Sequence, residues 1–469
     1  MTQTAAYSVP RTAPVPALRS LRRRVKGAVI EPGRAGWTTA TQAFNLTVVQ
    51  EPAVVALPVD VQDVIAIVDF ARENGMQVTA QRTGHNAEPM ANALAETILV
   101  KTDALQGVEI DVERKIARVA SGVKWGGVVP QASDLGLAAL HGSTPDVSVT
   151  GYSLGGGVGW YARKLGLSTN SVTAIELVTA DGAFRRVDHD NEPDLFWALR
   201  GGGGNFGIVT AVEVQLFSIP DIYAGILFFP WERASEVLHA WLEWTATVPD
   251  EMTSVGRLLQ FPPIEEIPEP MRGKKFAIVE GIYMGDEASG SDLLRPLREL
   301  GPAIDTFAVV PPVGLAELHM DPPDPVPYTG EGQMLAQLDA EAIDRFVAAA
   351  GPGSPSPLIS AEIRHVGGGA MSRPQRHHGA LNTFDADFLT FGVGMVIDEA
   401  SYRASRGTLD ELDEALAPYD SGRQYLNFTE RPTDPARFYT PYAYRRLRQV
   451  KAAYDPTNLI RANHPIPPA

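Results

Sequence analysis

The sequence of 469 residues contains no cysteine. Disulfide bonds and cysteine-ligated zinc sites are therefore excluded, and so are a thiol nucleophile and a thioether link to a cofactor. The chain also lacks an apolar run approaching the ~20 residues that a membrane-spanning helix needs. Its N-terminal region lacks the continuous apolar core of a signal peptide. We therefore expect a cytoplasmic protein that does not cross a membrane.

Positive charge is in short supply, because 40 Lys and Arg residues face 56 Asp and Glu residues and the formal net charge is −16. Such a field repels phosphate backbones and anionic lipid, so nucleic acid and membrane surfaces are poor candidate partners. One basic cluster stands near the N-terminus, and we interpret it as a solvated helix face rather than a nucleic-acid or lipid patch. Its members are Arg19, Arg22, Arg23, Arg24 and Lys26.

Apolar residues form a short α/β unit early in the chain. A strand at 54–58 precedes a helix that Asp60 caps and Gly75 ends, and a second strand follows at 77–81. With 43 Gly and 37 Pro, the whole chain favours many turns and long loops over a helical bundle. Its length suits about three domains of ~150 residues, or two larger ones.

Further elements follow with clear turn signals. We predict a hairpin at 108–120, a helix at 125–135, and a second hairpin at 172–187 with a type I′ turn at Asp181-Gly182. A strand is expected at 208–217.

Beyond residue 220, proline-rich segments separate longer strand candidates. These strands are predicted at 276–283, 358–366 and 388–397, and a helix is predicted at 405–416.

Three glycine-rich segments, at 81–86, 144–159 and 201–209, lie between the predicted strands. Glycine lets the backbone turn sharply and present several N–H groups to one anion. A plain turn beside an exposed histidine and a flexible linker are the alternatives for the first two segments. Together, the spacing suits a long dinucleotide laid across several turns, without saying which dinucleotide.

The third segment contains a pattern that could be mistaken for a Rossmann fingerprint. Gly202, Gly204 and Gly207 match G-x-G-x-x-G, which must follow a strand and open a helix. Here a predicted helix at 194–199 precedes the glycines and a strand at 208–214 follows them. This order excludes the nicotinamide interpretation.

Motifs from both ends of the chain share one order with a known family. They are Gly84-His85-Asn86, Pro145-Asp146-Val147, Asp194–Arg200, Tyr425-Leu426-Asn427-Phe428 and Tyr454-Asp455-Pro456. In this order they resemble the vanillyl-alcohol oxidase / p-cresol methylhydroxylase flavoprotein superfamily, and within it the berberine-bridge-enzyme-like oxidases. The resemblance covers nearly the whole chain.

The resemblance implies an α+β fold. A two-part FAD-binding domain of the p-cresol methylhydroxylase type is expected at 1–220, with its core at about 48–219. A middle substrate-binding domain at 221–415 should hold an antiparallel sheet covered by helices. The C-terminal berberine-bridge-like segment, 416–469, should return to the FAD domain.

The resemblance also implies how the cofactor is held. The family histidine that follows the glycine of the first loop is bonded to the C8 methyl of FAD, and His85 has that position. Such a bond withdraws electron density and raises the flavin's potential. Many members add a cysteine thioether where this chain has Thr144, so we expect FAD linked singly, in a site that is more open or less oxidising. The other expected cofactor contacts are Gln81, Arg82, Thr83, Gly84, Asn86, Thr144, Asp146, Val149, Gly151, Gly156, Gly157, Gly159, Gly204, Gly207, Ile208 and Asn463.

Tyr425 is the candidate catalytic base, because the family's Tyr-x-Asn motif places a tyrosine near the flavin. Asn427 would anchor the flavin or the backbone. A phenol with a pKa near ~10 needs a cationic neighbour to act as a base near neutral pH. Arg364 or Arg431 could supply that charge, and a tyrosine that only packs or hydrogen-bonds is the alternative.

Alternation along one strand adds two further candidates. It places Glu362 and Arg364 on one face and Ile363 and His365 on the other. One face should look into the substrate cavity, and an ion pair on a sheet surface is the alternative. We predict no metal site, because the adjacent His377-His378 pair has no third ligand nearby in the sequence.

The expected reaction is hydride transfer from a small organic substrate to FAD, followed by reduction of O2 to H2O2. The substrate could be an alcohol, a sugar, an amine or a secondary metabolite. The alternatives are a FAD-dependent dehydrogenase, an oxygenating enzyme, and a non-catalytic flavin-binding protein. Neither the substrate nor the oligomeric state can be read from the sequence.

Overall fold

The computed structural model describes residues 15–374 and 376–469. In the first part of the chain the helices are α1 (Val15–Arg24), α2 (Trp37–Thr41), α3 (Val61–Asn74), α4 (Val129–Ser133), α5 (Val149–Leu154), α6 (Ala162–Leu165), α7 (Ser168–Ser171) and α8 (Pro193–Leu199). The strands are β1 (Ala28–Ile30), β2 (Val54–Leu57), β3 (Gln77–Gln81), β4 (Thr97–Lys101), β5 (Val108–Asp111), β6 (Ile116–Ala120), β7 (Leu137–Ala138), β8 (Val172–Val178), β9 (Phe184–Asp188), β10 (Ile208–Gln215) and β11 (Phe217–Ser218).

Two main sheets organise this first part. In one, β2, β4 and β3 are parallel and β1 pairs antiparallel with β2, in the order β1-β2-β4-β3. The other is antiparallel, in the order β5-β6-β10-β8-β9. The apolar face of α3 packs against both sheets through Val64, Ile67 and Val68, together with Val178 and Ile208. One core therefore joins the two halves.

The predicted α/β unit is confirmed. The Asp60 carboxylate accepts the backbone N–H of Asp63, which satisfies a free donor in the first turn of α3. Gly75 ends the helix in the left-handed conformation, at φ 65°. Both ends of the helix depend only on residues that are close in sequence, so they can be predicted from the sequence.

The basic cluster near the N-terminus forms ion pairs along α1 and the segment after it. Arg22 pairs with Glu31 at 3.1 Å and Arg24 with Glu73 at 2.7 Å. Lys26 reaches Asp60 at 2.5 Å. Leu18 and Leu21 are buried on the opposite side of α1. This arrangement is the one expected of a solvated helix face.

In the second part of the chain, a larger sheet is covered by helices. Its strands are β12 (Ile222–Pro230), β13 (Met252–Gln260), β14 (Lys275–Tyr283), β15 (Ile304–Asp305), β16 (Ala308–Val310), β17 (Tyr328–Glu331), β18 (Met334–Leu335), β19 (Leu358–His365) and β20 (Phe388–Met395). The helices are α9 (Ala234–Thr245), α10 (Glu287–Arg298), α11 (Ala340–Ala350) and α12 (Glu399–Leu416). A capping box between Asp398 and Ser401 starts α12 earlier than the predicted residue 405.

This sheet is antiparallel, with the central order β12-β14-β13-β19-β20. On one face Leu258, Val279 and Ile363 join the apolar core that includes Trp241 of α9 and Phe346 of α11. The predicted antiparallel sheet with a helical cover is therefore confirmed. The opposite face of the same central strands is turned toward the first part of the chain.

The end of the chain returns to the first part. Helix α13 (Pro441–Tyr454) packs against α8, and residues 459–461 run beside β3, where the Val78 N–H donates to the Leu459 carbonyl. The buried Lys451 ammonium donates to the carbonyl oxygens of Asn205 (2.7 Å) and Ile460 (2.8 Å). It also pairs with Asp455 at 2.6 Å. These bonds tie the third glycine segment to the tail.

Two local predictions were wrong. The turn at Asp181-Gly182 is not type I′, since only Gly182 of the pair has a positive φ (82°). Thr179 and Ala183 close a longer loop in which the left-handed glycine follows the turn, a common three-residue hairpin geometry. The helix predicted over 125–135 is divided instead into a 3₁₀ turn at Trp125–Gly127 and the short α4, with Pro130 in the first turn of α4.

None of the helices in the described ranges is long and apolar enough to cross a membrane.

Candidate active site

A cavity of about 1200 Å³ lies between the first part of the chain and the bare face of the large sheet. This volume exceeds the usual range for a single small ligand, so it can hold a large cofactor together with a substrate. Its walls come from the three glycine-rich segments, the central strands of the large sheet and the C-terminal tail. The structure therefore brings together regions that are hundreds of residues apart.

Most of the predicted cofactor residues line this cavity. They are Gln81, Arg82, Thr83, Gly84, His85, Asn86, Thr144, Asp146, Gly151, Gly204, Gly207 and Asn463. The first segment is held rigidly, because Arg82 pairs with Asp103 at 2.8 Å and the Asn86 amide donates to the Leu426 and Thr429 carbonyls. This segment is therefore anchored to both the first part of the chain and the tail.

Five predicted cofactor residues do not belong to the cavity wall. Val149 and Ile208 pack into apolar cores. Gly159 lies so close to the His141 carbonyl oxygen that a Cβ would come within 2.0 Å of it. Gly156 and Gly157 have φ of 120° and 77° and lie beneath the Tyr425 ring and against the Tyr152 ring, respectively. These residues shape the wall from behind, which a linear motif cannot distinguish from direct contact.

Tyr425 is buried, and its phenol oxygen lies in a cluster of donors. The oxygen accepts the backbone N–H groups of Gly157 (2.9 Å) and Val158 (2.8 Å), and the Asn427 amide at 3.1 Å. Burial raises the pKa of Tyr425 above its ordinary value, although these three bonds and Arg364 act in the opposite direction. The phenol therefore links the second glycine segment to the tail through hydrogen bonds.

Asn427 has an anchoring position. Besides its bond to the Tyr425 oxygen, its amide donates to the Tyr152 carbonyl at 3.0 Å. Its side chain occupies the space beside Gly155, where a Cβ would come within 1.7 Å of the Asn427 oxygen. A residue larger than glycine at position 155 would displace this amide.

His85 is contacted at both ring nitrogens. Nδ1 lies 2.9 Å from the Thr83 hydroxyl, and Nε2 lies 3.0 Å from a carboxylate oxygen of Asp146. The ring stacks on Phe44, with centroids 3.8 Å apart. The Thr144 hydroxyl donates to the other oxygen of Asp146. The imidazole is therefore fixed in orientation at the cavity wall.

The register of the large sheet concentrates charge on its cavity face. Arg257 on β13 lies opposite Glu362 on β19, and Val255 lies between Glu280 on β14 and Arg364 on β19. Directly opposite residues share a face, and so do residues two apart along a strand. All four charged side chains therefore emerge on one face, as predicted for Glu362 and Arg364.

His319 lies over this face and connects its acidic groups. Its Nδ1 is 2.6 Å from Glu280 and its Nε2 is 2.9 Å from Glu362. Burial and Arg257 lower the pKa of His319, but the carboxylates of Glu280, Asp321 and Glu362 outweigh them and raise it to about 9. The imidazole is cationic at neutral pH and completes a buried network of alternating charges.

Glu362 and Arg364 form a buried ion pair at this face, with Arg364 Nε 2.6 Å from Glu362. Burial favours the neutral acid, but Arg364, His319 and Arg257 together lower the pKa of Glu362 well below its ordinary value. Arg364 Nη2 contacts His319, whereas Nη1 makes no hydrogen bond to any residue in the described ranges. The guanidinium also lies over the Phe428 ring, 5.1 Å from its centroid.

Within the described residues, one group has the spacing of a metal site: Glu280, His319 and Glu362. Its chemistry favours the ion-paired state, because a protonated imidazole cannot ligate and Arg257 and Arg364 lie against the same carboxylates. His377 and His378, the other histidines considered for a metal, have their carbonyl oxygens bound by Arg200. Arg431, one of the two arginines considered as a cationic neighbour of Tyr425, forms ion pairs with Glu331, Asp410 and Asp413.

Several cavity residues were missed by the sequence analysis. Arg257 and His319 belong to the charge network, and Tyr328 and Glu430 line the wall near His85. Glu430 is buried, and burial together with the nearby acids raises its pKa to about 8. A single charge inside an apolar strand, as at Arg257, is the signal that could have identified part of this set.

The chain matches two family models at the positions where these features occur. A model described as FAD binding domain matches residues 52–188, and one described as berberine and berberine like matches residues 424–467. These two regions are the ones by which the chain resembles the berberine-bridge-enzyme-like FAD-linked oxidases. The matched segments contain His85 and the second glycine segment in one case, and Tyr425, Asn427 and the returning tail in the other.

Relatives of this FAD-linked oxidase cover almost its full length. It is 29% identical to (R)-6-hydroxynicotine oxidase of Paenarthrobacter nicotinovorans, over 95% of this chain and 97% of that protein. It is 25% identical to xylooligosaccharide oxidase of Thermothelomyces thermophilus, over 92% of this chain and 90% of that protein. The solved structure of a variant of Physcomitrella patens BBE-like 1 shares the fold, with a TM-score of 0.82 at 19% identity over 96% of this chain and 99% of that one.

Proposed function

We propose that this oxidase holds FAD covalently through His85, takes a hydride from a small organic substrate, and reduces O2 to H2O2. The observation that carries the proposal is the single cavity in which the glycine-rich segments and His85 face the charged sheet surface. One end of this cavity suits a dinucleotide, and the other end can receive a substrate. A cytoplasmic location stays an expectation from the sequence.

The residues present fit FAD. Several buried polar atoms on the cavity wall have no hydrogen-bond partner among the described residues, although such atoms are normally satisfied. These atoms are Asn86 Oδ1, Ser121 Oγ, Thr150 Oγ1, Tyr152 Oη and Arg461 Nε. They surround the glycine segments, where backbone can approach a ligand closely. The set matches a polar, elongated ligand that needs both donors and acceptors.

When bound, FAD supplies the two-electron chemistry, accepting a hydride and passing the electrons to O2. The chain's own residues bind and orient the reactants and move protons. Arg364 has its Nη1 available to hold a substrate oxygen or other acceptor atom. Phe391, Phe428 and Leu259 line the same region and exclude water.

Glu362 is the proton acceptor that we propose for the substrate. A hydroxyl whose carbon loses a hydride becomes a protonated carbonyl, a far stronger acid than a carboxylic acid, so even a carboxylate of low pKa is basic enough to receive the proton. Glu362 stays ionised at neutral pH because Arg364 and His319 contact it. The raised pKa of Tyr425 and its three incoming hydrogen bonds support a hydrogen-bonding role for that residue.

Relatives restrict the substrate only to small organic molecules, because one is named for a hydroxynicotine and another for xylooligosaccharides. The cavity of this chain combines an apolar, aromatic wall with the charged face of the large sheet. Such a wall suits a compact ring system with at least one polar atom that Arg364 can reach.

The function is tested with the purified flavoprotein by screening alcohols, amines and sugars without oxygen and following loss of the oxidised flavin absorbance. Each substrate that bleaches the flavin is then incubated with the enzyme in air. The amount of peroxide formed is compared with the amount of substrate consumed. One peroxide per substrate supports an oxidase. Flavin that is bleached without oxygen but forms no peroxide in air supports the dehydrogenase alternative. Less than one peroxide per substrate, together with an oxygenated product, supports the oxygenating enzyme. A flavin that no substrate bleaches contradicts the catalytic function.

A further inference from the structure

The surroundings of His85 resemble an activated nucleophile more than a passive attachment point. Nε2 faces the Asp146 carboxylate at 3.0 Å, while Nδ1 faces the Thr83 hydroxyl at 2.9 Å. The Asp146 side chain is only 5% exposed, and that of His85 is 26% exposed toward the cavity. A buried carboxylate behind a cavity-facing imidazole is the arrangement by which proteins fix the orientation and the tautomer of a histidine.

Asp146 is held as an anion. Burial opposes its ionisation, yet the contact with His85 and the hydroxyl of Thr144 lower its pKa below the ordinary value. An anionic neighbour at Nε2 keeps the imidazole proton on that nitrogen. The lone pair is then on Nδ1, where the Thr83 hydroxyl can donate to it until a ligand replaces that contact.

We propose that Asp146 is the proton acceptor that drives covalent attachment of FAD to His85. As Nδ1 forms its bond to the C8 methyl carbon, the ring would become a buried cation unless its Nε2 proton leaves. Asp146 takes that proton as the adjacent base that activates the nucleophile, and passes it on. Thr144 keeps the carboxylate pointed at the imidazole.

The step balances as follows. One N–C bond forms between His85 and the methyl carbon, and one methyl C–H bond breaks. The methyl proton, the imidazole proton passed on by Asp146 and two electrons remain with the flavin, which is thereby reduced. O2 then takes both protons and both electrons as H2O2, leaving oxidised, covalently held FAD. The oxidant is the same O2 that the proposed function already uses, and the inference depends on that proposed covalent link.

Phe44 helps to hold the His85 ring in its orientation. Its ring stacks on the imidazole at 3.8 Å with an interplanar angle of 16°, which prevents His85 from rotating away from Asp146. Among the described residues, Asp146 is the carboxylate that contacts this imidazole. Within the described part of the chain, the proton therefore has Asp146 as its direct acceptor.

The test follows covalent attachment itself. Full-length wild type and Asp146→Asn are produced in a riboflavin-starved host and mixed with FAD. The amount of flavin that stays with acid-precipitated protein is measured over time, and gel filtration measures the total bound flavin. We expect Asp146→Asn to bind FAD but to attach it roughly 100-fold more slowly, the usual contribution of a positioned proton acceptor. Asp324→Asn, which removes an exposed carboxylate of the same cavity, should attach FAD at the wild-type rate.

Attachment in Asp146→Asn within about twofold of wild type would overturn the inference. If Asp146→Asn fails to bind FAD, Thr144→Val decides, because it keeps the carboxylate and removes its positioning hydroxyl. We expect that variant to attach FAD about tenfold more slowly, the equivalent of one hydrogen bond to a charged group, and an unchanged rate contradicts the role of Asp146. A wild type that binds FAD but never attaches it contradicts the proposed covalent function instead.

Discussion

Tyr425 shows how a single side chain can serve two distant segments. Its oxygen accepts two backbone N–H groups of the second glycine segment and the amide of Asn427 in the tail. Gly157 and Val158 are buried, so loss of the phenol oxygen would leave their N–H groups without this acceptor. The residue therefore contributes to stability independently of any role in catalysis.

Tyr425→Phe is expected to reduce the free energy of unfolding by about 1–3 kcal/mol, because it leaves buried donors unsatisfied. The measurement is the urea unfolding midpoint of the purified flavoprotein. Tyr442→Phe, at a residue 65% exposed, is the matched control and should change the midpoint little. A Tyr425→Phe variant as stable as that control contradicts the structural role assigned to the phenol.

Glu362→Gln tests the proposed proton acceptor. It keeps the size of the side chain and removes the basic oxygen, so kcat should fall by roughly 100-fold or more. The rate of flavin bleaching without oxygen, measured on one accepted substrate, reports the step directly. Glu266→Gln alters an exposed carboxylate at the cavity rim and should react like wild type. Equal bleaching rates in all three proteins would exclude Glu362 from the reaction.

At the scale of elements, the sequence predicts helix ends but not the pairing of distant strands. The Asp60 cap and Gly75 end of α3 depend on neighbours in sequence and were predicted correctly. The charge network depends on the register of β14, β13 and β19, which places Arg257 opposite Glu362 across more than a hundred residues. No periodicity in one sequence reports such a register, so only the face shared by Glu362 and Arg364 was foreseen.

His319 and Glu430 were missed for a related reason. His319 reaches the sheet from a loop, and its partners belong to separate strands. Glu430 stands near Tyr425 in the tail motif, but its burial follows from how the tail folds over Tyr328 and the first segment. The predicted division of the chain at residues 220 and 415 likewise stays a prediction.

The contact of α13 with the third glycine segment depends on Lys451. Lys451→Met removes one member of a buried ion pair and leaves the Asp455 carboxylate uncompensated, although that carboxylate still accepts the Leu459 and Ile460 N–H groups. We expect the free energy of unfolding to fall by roughly 3–5 kcal/mol. Lys274→Met, at an exposed lysine, is the control and should change it by less than about 0.5 kcal/mol. Similar unfolding midpoints for the two variants would contradict this account of the tail.

At the scale of the whole molecule, stability should depend on pH through Glu430. Burial raises its pKa from 4.5 to about 8, so the folded state keeps a proton that the unfolded chain releases between these values. The free energy of unfolding contributed by this group therefore decreases as pH rises through that interval, by roughly 1.4 kcal/mol per pH unit. Wild type minus Glu430→Gln isolates the effect in urea unfolding at pH 5, 6 and 7. A difference that is flat, or that rises with pH, would show that Glu430 is ionised in the fold.

The fold of the whole molecule also accounts for the single cavity that we propose for both FAD and substrate. The glycine segments and the charged sheet face belong to different parts of the chain, and the returning tail locks the first segment and the third in place through Asn86 and Lys451. The two regions that we propose for cofactor and substrate are therefore brought together when the chain folds.

Peptide mass spectrometry can detect the proposed covalent bond between His85 and FAD. The purified protein is denatured in acid, digested, and searched for the peptide that contains residues 81–86. We expect this peptide to carry the mass of FAD on His85, and His85→Ala protein to release all of its flavin into the acid supernatant. An unmodified His85 peptide from yellow wild-type protein, with its flavin free in the supernatant, would contradict the proposed bond.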